Sequence, residues 1–302
     1  MKYATAAAFR SALEARLNRQ SRESGISLVR LRKLVVFDRL LARLIVLAPD
    51  RWVLKGGVAL QYRLESEART TMDLDVSWSG RRDDISGQMS MLPSVLLDDF
   101  FIFSIEMVDG QGDNHRSFRF RVSAELAGRH FDSVTLDIGL DYPRATEPEV
   151  LMSPDLLGFS EIEPHGVPTI SIVRHLAEKV HAYSRLYEGG RSSTRVKDFV
   201  DMLLIASAFE IHAGEVRETL SIVFKERGTH NVPGSLAPPP AGWRAPYRVL
   251  ATETGLPTDI RLAFERLSSF LNPVLTHAAD DAMIWTPHKW AWLEESPDFN
   301  PG

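Results

Sequence analysis

The stretch that decides the fold is KGGVAL at residues 55–60, followed by RTTMDLD at residues 69–75. Just before it, residues 52–54 form a short apolar run, and residues 58–64 fit the period of a helix. After it, apolar and polar residues alternate over residues 74–78, which is typical of a half-buried strand. The pattern therefore predicts a strand, a glycine turn, a helix and a second strand in close succession.

The residue types in this stretch favour phosphate and metal binding. Gly56 and Gly57 let the backbone approach a phosphate closely, where the N–H groups of a helix N-terminus attract anions. Asp73 and Asp75, two residues apart on a strand, point to one face and repel each other unless a cation lies between them. Magnesium typically binds one or two carboxylates together with phosphate oxygens. A glycine pair or an Asp pair alone indicates little, but both in this order predict a metal–nucleotide site.

The rest of the chain predicts an α+β fold, in which a mixed sheet with flanking helices is followed by a mainly helical domain. Three late strands, near residues 102–108, 118–122 and 134–140, suggest an antiparallel meander beside the first strand–helix–strand unit. Prolines after residue 143 indicate a connecting region. We therefore expect one domain over residues 1–150, with basic N-terminal helices, and a mainly helical domain over residues 151–302. The predicted helices cover residues 6–19, 28–47, 171–187, 196–209, 214–225 and 259–270.

Composition and motif content exclude several classes of protein. The 302 residues contain no cysteine, so a disulfide framework, a thiolate zinc site and a cysteine nucleophile are excluded. No apolar stretch approaches the roughly 20 residues of a membrane helix, and no signal peptide stands out. We therefore expect a cytoplasmic protein without a membrane partner. A Walker A lysine motif and an HExxH motif are both missing, and the nine histidines show no compelling metal spacing.

The charge is distributed unevenly along the chain. The whole chain carries a formal charge of -5, yet residues 1–50 contain ten basic and four acidic side chains. A basic segment in an otherwise acidic chain favours a partner with phosphates. The same pattern is also typical of a solvated helix face.

The order KGG-x-AL and then R-x-T-x-DLD resembles the nucleotidyltransferase superfamily. Within it, the sequence is similar to the AbiEii-type toxins of bacterial toxin–antitoxin systems, which include the MenT toxins. The resemblance implies a nucleotidyltransferase-type mixed sheet, in which Asp73 and Asp75 bind metal. A third metal-binding carboxylate usually follows on a neighbouring strand, and Asp137 fits that position better than Asp141. The resemblance also places residues 55–57 (Lys55, Gly56 and Gly57) at the bound nucleotide.

The resemblance extends into the helical half. Lys179 lies on a predicted helix, and RVKDFVD follows at residues 195–201. The resemblance implies that Lys179 contacts the triphosphate and that Lys197, Asp198 and Asp201 complete the site, for example by orienting Lys179 or Arg195. Asp198 and Asp201 are three residues apart and so share a helix face. Without the upstream motif, Lys197 and Asp198 would be read as an ordinary exposed pair.

The implied reaction transfers a nucleoside monophosphate from an NTP, with a pyrimidine nucleotide favoured, to a hydroxyl group in the presence of Mg²⁺ or Mn²⁺. In the resembling toxins the acceptor is the 3′ end of tRNA, and its extension blocks aminoacylation and translation. The alternatives are a small-molecule acceptor such as an antibiotic, a protein side chain, and a non-catalytic binding module. A cognate antitoxin is expected as a partner. The oligomeric state stays open, with a monomer slightly favoured.

The sequence contains no RNP motif or KH loop, so tRNA would be recognised by shape and phosphate. The basic N-terminal segment is the expected place for the tRNA backbone. The candidate residues there are Arg30, Arg32, Lys33 and Arg39.

Thr71 is a candidate site of regulation. It lies two residues before Asp73, where some related toxins carry a serine or threonine that their antitoxin phosphorylates. A phosphate there would add negative charge beside two carboxylates and block metal or nucleotide binding. The alternative is that Thr71 only hydrogen-bonds to the local backbone.

Overall fold

The fold comes from a computed structural model, which describes residues 1–109, 117–140, 147–185 and 195–294. The chain divides into two compact units. The sheet unit consists of Met1–Ser66 and Thr70–Ile170, and the helical unit of Glu67–Arg69 and Ser171–Gly302. No helix in the described part of the chain is long and apolar enough to cross a membrane.

The sheet unit begins with two long helices, α1 (Ala6–Ser24) and α2 (Leu28–Leu47). Each begins at a hydroxyl N-cap, because Thr5 and Ser27 accept hydrogen bonds from backbone N–H groups of the first turn. Helix α2 has the predicted bounds, whereas α1 continues to Ser24 and ends at Gly25 in the left-handed conformation.

A seven-stranded sheet forms the centre of this unit, with strand order β3-β4-β5-β2-β1-β7-β6. Strands β3, β4 and β5 form the predicted antiparallel meander, while β2 pairs parallel with β5 and antiparallel with β1. The α+β fold class is therefore confirmed. The strands are β1 (Trp52–Lys55), β2 (Asp73–Trp78), β3 (Phe101–Asp109), β4 (Ser117–Leu126), β5 (Arg129–Gly139), β6 (Glu149–Met152) and β7 (Gly166–Thr169). Helix α3 (Gly56–Leu64) lies between β1 and β2, and α4 (Arg82–Met91) follows β2.

The two faces of the meander differ in chemistry. In β4, Phe118, Phe120 and Val122 are buried in the same core as the apolar side chains of α1 and α2. The alternating residues Arg119 and Arg121 are exposed on the opposite face. Hydrophobic burial therefore fixes which face of the sheet carries charged side chains.

The sheet unit extends to Ile170, whereas we expected a boundary near residue 150. The proline-rich segment after residue 143 contains β6 and β7, which add the last two strands to the sheet. The Ile170 N–H donates to the Leu54 carbonyl oxygen at 3.0 Å, and Val167 is fully buried. Two four-residue strands, one of them containing Pro168, give little local signal of this pairing.

The helical unit contains the predicted helices and one more, α8. They are α5 (Ile172–Ser184), α6 (Val196–Ala208), α7 (Ala213–Arg227), α8 (Arg244–Thr254) and α9 (Ile260–Leu275). The end of the predicted helix over residues 171–187 lies outside the described residues. A small sheet of β8 (Ile211–His212), β9 (Ile284–Thr286) and β10 (Ala291–Leu293) holds Trp285, which is fully buried 4.7 Å from the Phe270 ring. Trp285 is thus part of the core of the helical unit.

Most of the basic side chains of α2 are buried and paired within the sheet unit. Arg30, Lys33 and Arg39 are buried. The Lys33 ammonium donates to the Asp132 carboxylate at 3.1 Å, and the Arg39 guanidinium lies 2.6 Å from that of Asp38. The remaining candidate, Arg32, is only partly exposed, and its guanidinium donates to the Glu14 carboxylate at 2.5 Å. Arg30, Lys33 and Arg39 are therefore not exposed to a tRNA backbone in this fold, because α2 is buried on most of its circumference, whereas binding by Arg32 stays a prediction.

A hydrogen-bonded chain of side chains joins α5 to the turn after α7. His181 Nε2 lies 2.8 Å from Thr229 Oγ1, which lies 2.9 Å from His230 Nδ1, and His230 Nε2 lies 2.8 Å from Ser184 Oγ. Burial and, secondarily, the charges of His230 and Arg227 lower the pKa of His181 from 6.5 to about 4. The folded unit therefore holds His181 neutral at pH values where the unfolded chain is protonated.

We expect the helical unit to lose stability as the pH falls from 6.5 towards the folded-state pKa of about 4. The reason is that the unfolded chain binds a proton in this range and the folded chain does not, so acid favours unfolding. Thermal unfolding of the wild type and of His181→Gln at several pH values tests this, with exposed His277→Gln as the control. His181→Gln should lose less of its melting temperature on acidification than either other protein. An equal loss in all three would contradict the prediction.

Candidate active site

The turn between β1 and α3 requires glycine at both of its positions. Gly56 has φ = +68°, and a Cβ atom there would collide with the carboxylate of Asp75, 2.8 Å from its Cγ. A Cβ atom on Gly57 would lie 2.8 Å from the hydroxyl oxygen of Thr71. The N-terminus of α3 is thus packed directly against Asp75 and Thr71, with no side chain between backbone and carboxylate.

The three predicted carboxylates lie on one face of the sheet. Asp75 of β2 is directly opposite Asp137 of β5 and, on the other side, opposite Lys55 of β1. Directly opposite residues share a face, and so do residues two apart on one strand, which adds Asp73 to the group. Residues more than 60 positions apart in the sequence are thereby placed on neighbouring strands, as the resemblance implied for Asp137.

Arg119 continues the same row of residues on β4, where it is directly opposite Asp137. Its Nε and Nη2 atoms each donate to one oxygen of the Asp137 carboxylate at 2.8 Å. The hydrogen bond and charge of Asp137, with smaller contributions from Asp73 and Asp75, raise the pKa of the Arg119 guanidinium. Sequence reasoning missed Arg119, because nothing distinguishes it from the other polar residues that alternate along β4.

The expected metal site of three carboxylates is not assembled. Across the described ranges, no group of three or more Asp, Glu or His residues is arranged to hold a metal ion. Arg119 donates to both oxygens of Asp137. Asp73 and Asp75 nevertheless fit a hard divalent cation, since they present oxygen ligands on one face beside a cradle that any Cβ at Gly56 would fill. Asp73 and Asp75 thus form a pair of carboxylates that fits a cation, while metal binding by Asp137 stays a prediction that requires Arg119 to release its oxygens.

Thr71 is buried, and its hydroxyl donates to the backbone carbonyl oxygen of Asp73 at 3.2 Å. The local backbone hydrogen bond considered for Thr71 is therefore present. Phosphorylation of Thr71 stays a prediction, and it would require this hydroxyl to leave its hydrogen bond and its contact with Gly57.

The helical unit holds a second cluster of site candidates around Lys179. The Lys179 ammonium lies 2.8 Å from a carboxylate oxygen of Asp198 and 2.8 Å from one of Asp201. Arg69 donates to both oxygens of Asp201, at 2.7 and 2.9 Å. Because Asp198 and Asp201 share one face of α6, both contact Lys179, and their role in orienting it for a nucleotide stays a prediction. Lys197 is exposed on another face, and its contact with a nucleotide stays a prediction.

Charge balance keeps this buried cluster ionised. Burial acts to lower the pKa of Lys179, but the charges of Asp201 and Asp198 outweigh it and raise the pKa overall. Burial acts to raise the pKa of Asp201, yet Lys179 and Arg69 hold it well below its ordinary value. Arg69 belongs to the quoted motif, but its partner could not be read from the sequence, because Asp201 lies 132 residues away.

Comparison with known proteins agrees with this fold and its motifs. The family described as the AbiEii nucleotidyl transferase toxin of type IV toxin–antitoxin systems matches residues 39–283. Among solved structures, the chain is similar to MenT4, a nucleotidyltransferase toxin from Mycobacterium tuberculosis, with 20% identity, 92% of each chain covered and a TM-score of 0.57. A putative nucleotidyltransferase from H. pylori is 14% identical over 82% of this chain and 98% of its own, with a TM-score of 0.48. A search of the curated proteins returned no significant match.

The family match spans most of the chain and includes every motif discussed above. The likeness to MenT4 supports the nucleotidyltransferase fold. The family implies an NTP substrate, a divalent metal and a cognate antitoxin. This chain therefore belongs to the AbiEii nucleotidyl transferase toxin family and is a toxin nucleotidyltransferase.

Proposed function

We propose that this enzyme transfers a nucleoside monophosphate from an NTP to the 3′ end of tRNA in a reaction that depends on Mg²⁺ or Mn²⁺, and that this blocks aminoacylation and translation in the cytoplasm. The observation that carries the proposal is the packing of the Gly56–Gly57 turn against Asp75 on the carboxylate-bearing face of the sheet. This arrangement combines backbone N–H groups for phosphates with oxygen ligands for a cation. A pyrimidine nucleotide is the favoured substrate.

In the proposed reaction, the acceptor hydroxyl oxygen forms a bond to the α-phosphorus while the bond from that phosphorus to the β-phosphate oxygen breaks, and pyrophosphate leaves. Asp73 and Asp75 would hold the metal ion. A divalent ion in such a site supplies charge neutralisation for the triphosphate and lowers the pKa of an attacking hydroxyl. The backbone of Gly56 and Gly57 would orient the phosphates, so that positioning contributes much of the rate. Asp137 would act as the third ligand or as the general base once Arg119 no longer occupies its oxygens.

Lys179 and Lys197 are proposed as phosphate contacts, with Lys55 as a further cation at the glycine turn. Lys179 is kept charged by Asp198 and Asp201, so it can serve as a cation at any physiological pH. Because both aspartates already bind it, contact with a phosphate requires exchange of at least one of these partners.

A transfer assay tests the proposed function. Purified protein, magnesium and each α-labelled NTP in turn are incubated with total tRNA, beside an Asp73→Ala control of verified folding. We expect label in tRNA with the wild type and none with the variant. Label that appears equally with the variant would contradict the role of Asp73. Absence of label in tRNA would overturn the tRNA acceptor and favour a small-molecule or protein acceptor, which labelling in whole-cell lysate would then reveal.

A further inference from the structure

We propose that Arg119 is an internal counter-ion that competes with the divalent metal for Asp137. Metal loading of the third carboxylate then requires that Arg119 release it. This inference rests on the proposed metal site at Asp73 and Asp75. It adds a residue that controls the affinity of that site for the metal ion.

The ion pair between Arg119 and Asp137 contributes little to folding. The Arg119 side chain is 55% exposed and that of Asp137 23% exposed, on the solvent-facing side of the sheet. Ion pairs in such surroundings stabilise proteins only slightly. Nevertheless the geometry is two-pronged, with both donor–acceptor distances at 2.8 Å, which is the strong arrangement for a guanidinium and a carboxylate. A two-pronged pair on the face that carries Asp73 and Asp75 points to a role in the site.

The charges on this face explain why an arginine is suited to that role. Asp73, Asp75 and Asp137 bring three negative charges onto two neighbouring strands, and Arg119 interacts electrostatically with all three. A guanidinium cannot lose its proton in a protein, so it cannot be removed from Asp137 by titration. It can only move, and its exposed side chain has room to do so. Once displaced, it remains a cation that suits two-pronged binding of a phosphate.

Arg121 provides a matched comparison on the same strand. It lies two residues further along β4, on the same face, and its side chain is 63% exposed. It is opposite Thr135 rather than an aspartate, and its guanidinium lies 3.6 Å from the carboxylate of Glu106. Replacement of either arginine by glutamine removes one positive charge from this face, but only Arg119→Gln releases Asp137.

A titration of the full chain with Mn²⁺ in the absence of nucleotide tests the proposal. The paramagnetic resonance signal of the unbound ion gives the affinity for Mn²⁺. We expect Arg119→Gln to tighten Mn²⁺ binding by about fivefold or more, because it frees the Asp137 carboxylate to attract and bind the divalent ion. Arg121→Gln should change the affinity by less than about twofold, since its charge lies beside Glu106 and is screened. In an Asp137→Asn background, Arg119→Gln should bring no further tightening.

Equal affinity of the wild type and Arg119→Gln would overturn the inference, and so would equal tightening by Arg121→Gln. An Asp73→Asn variant separates this result from the proposed function. If Asp73→Asn abolishes Mn²⁺ binding while Arg119→Gln has no effect, the metal site stands and only the role of Arg119 is refuted. If Asp73→Asn binds Mn²⁺ as the wild type does, the proposed metal site itself fails.

Discussion

Replacing Asp75 with asparagine is expected to slow nucleotide transfer by at least about a thousandfold while the protein stays folded. Asparagine has the shape of aspartate, so it fits beside the Gly56 backbone, but it lacks the negative charge that a metal ligand needs here. The substitution also removes one of three like charges from the shared face of the sheet, so the melting temperature should be unchanged or slightly higher. Loss of activity without loss of stability is the signature of a functional carboxylate.

Growth arrest on induced expression in a bacterial host measures this effect without knowledge of the acceptor, because the family is one of toxins. Glu106→Gln is the matched control, since it makes the same chemical change on the exposed face of the neighbouring meander. We expect Asp75→Asn to abolish arrest and Glu106→Gln to retain it. Toxicity that persists in Asp75→Asn at equal expression would refute the assignment of Asp75.

Replacing Asp99 with alanine is expected to cost about 3–5 kcal/mol of the free energy of unfolding of the sheet unit. Asp99 accepts two hydrogen bonds from Arg43, both at 2.8 Å, and each side chain is only 1% exposed. Arg43 also donates to the Phe101 carbonyl oxygen at 2.8 Å and lies over the Phe103 ring. Without Asp99, the fully buried guanidinium of Arg43 would keep its charge but lose the carboxylate that accepts its two hydrogen bonds.

Urea unfolding of the wild type and the variant gives this difference. Glu23→Ala, which removes an exposed partner of Arg19 on α1, serves as the control and should change stability little. A double variant, Arg43→Met with Asp99→Leu, should recover most of the loss, because it replaces the buried pair with apolar side chains of similar size. If Asp99→Ala unfolds at the same urea concentration as the wild type, the buried pair does not stabilise the unit.

Short-range patterns predicted most helices and the central strands correctly. Helix α2 is an example, because its N-cap at Ser27 and its apolar period lie within a few turns of one another. The glycine turn and the alternation of β2 were equally local signals. The strands β6 and β7 were missed, because each is only four residues long and β7 joins the sheet by pairing with Leu54, more than 100 positions earlier in the chain.

The basic residues of α2 show how a charge pattern can mislead. Arg30, Lys33 and Arg39 look like a phosphate-binding surface in the sequence, but in the fold they are buried against carboxylates or backbone oxygens. A charge count cannot distinguish the two cases, because the acidic partner of Lys33 is Asp132, 99 residues away. Only the packing of α2 against β5 brings them together.

By itself, the sequence determined the chemistry of the carboxylate pair and the need for glycine beside it. Both follow from residue types within one strand–turn–helix–strand segment, where spacing alone decides which side chains share a face. The tertiary structure alone decided that Asp137 binds Arg119 and that Lys179 shares Asp201 with Arg69. These pairs depend on strand register and on which helix face is buried. Such long-range choices are made by the hydrophobic core as a whole, so no local pattern carries them.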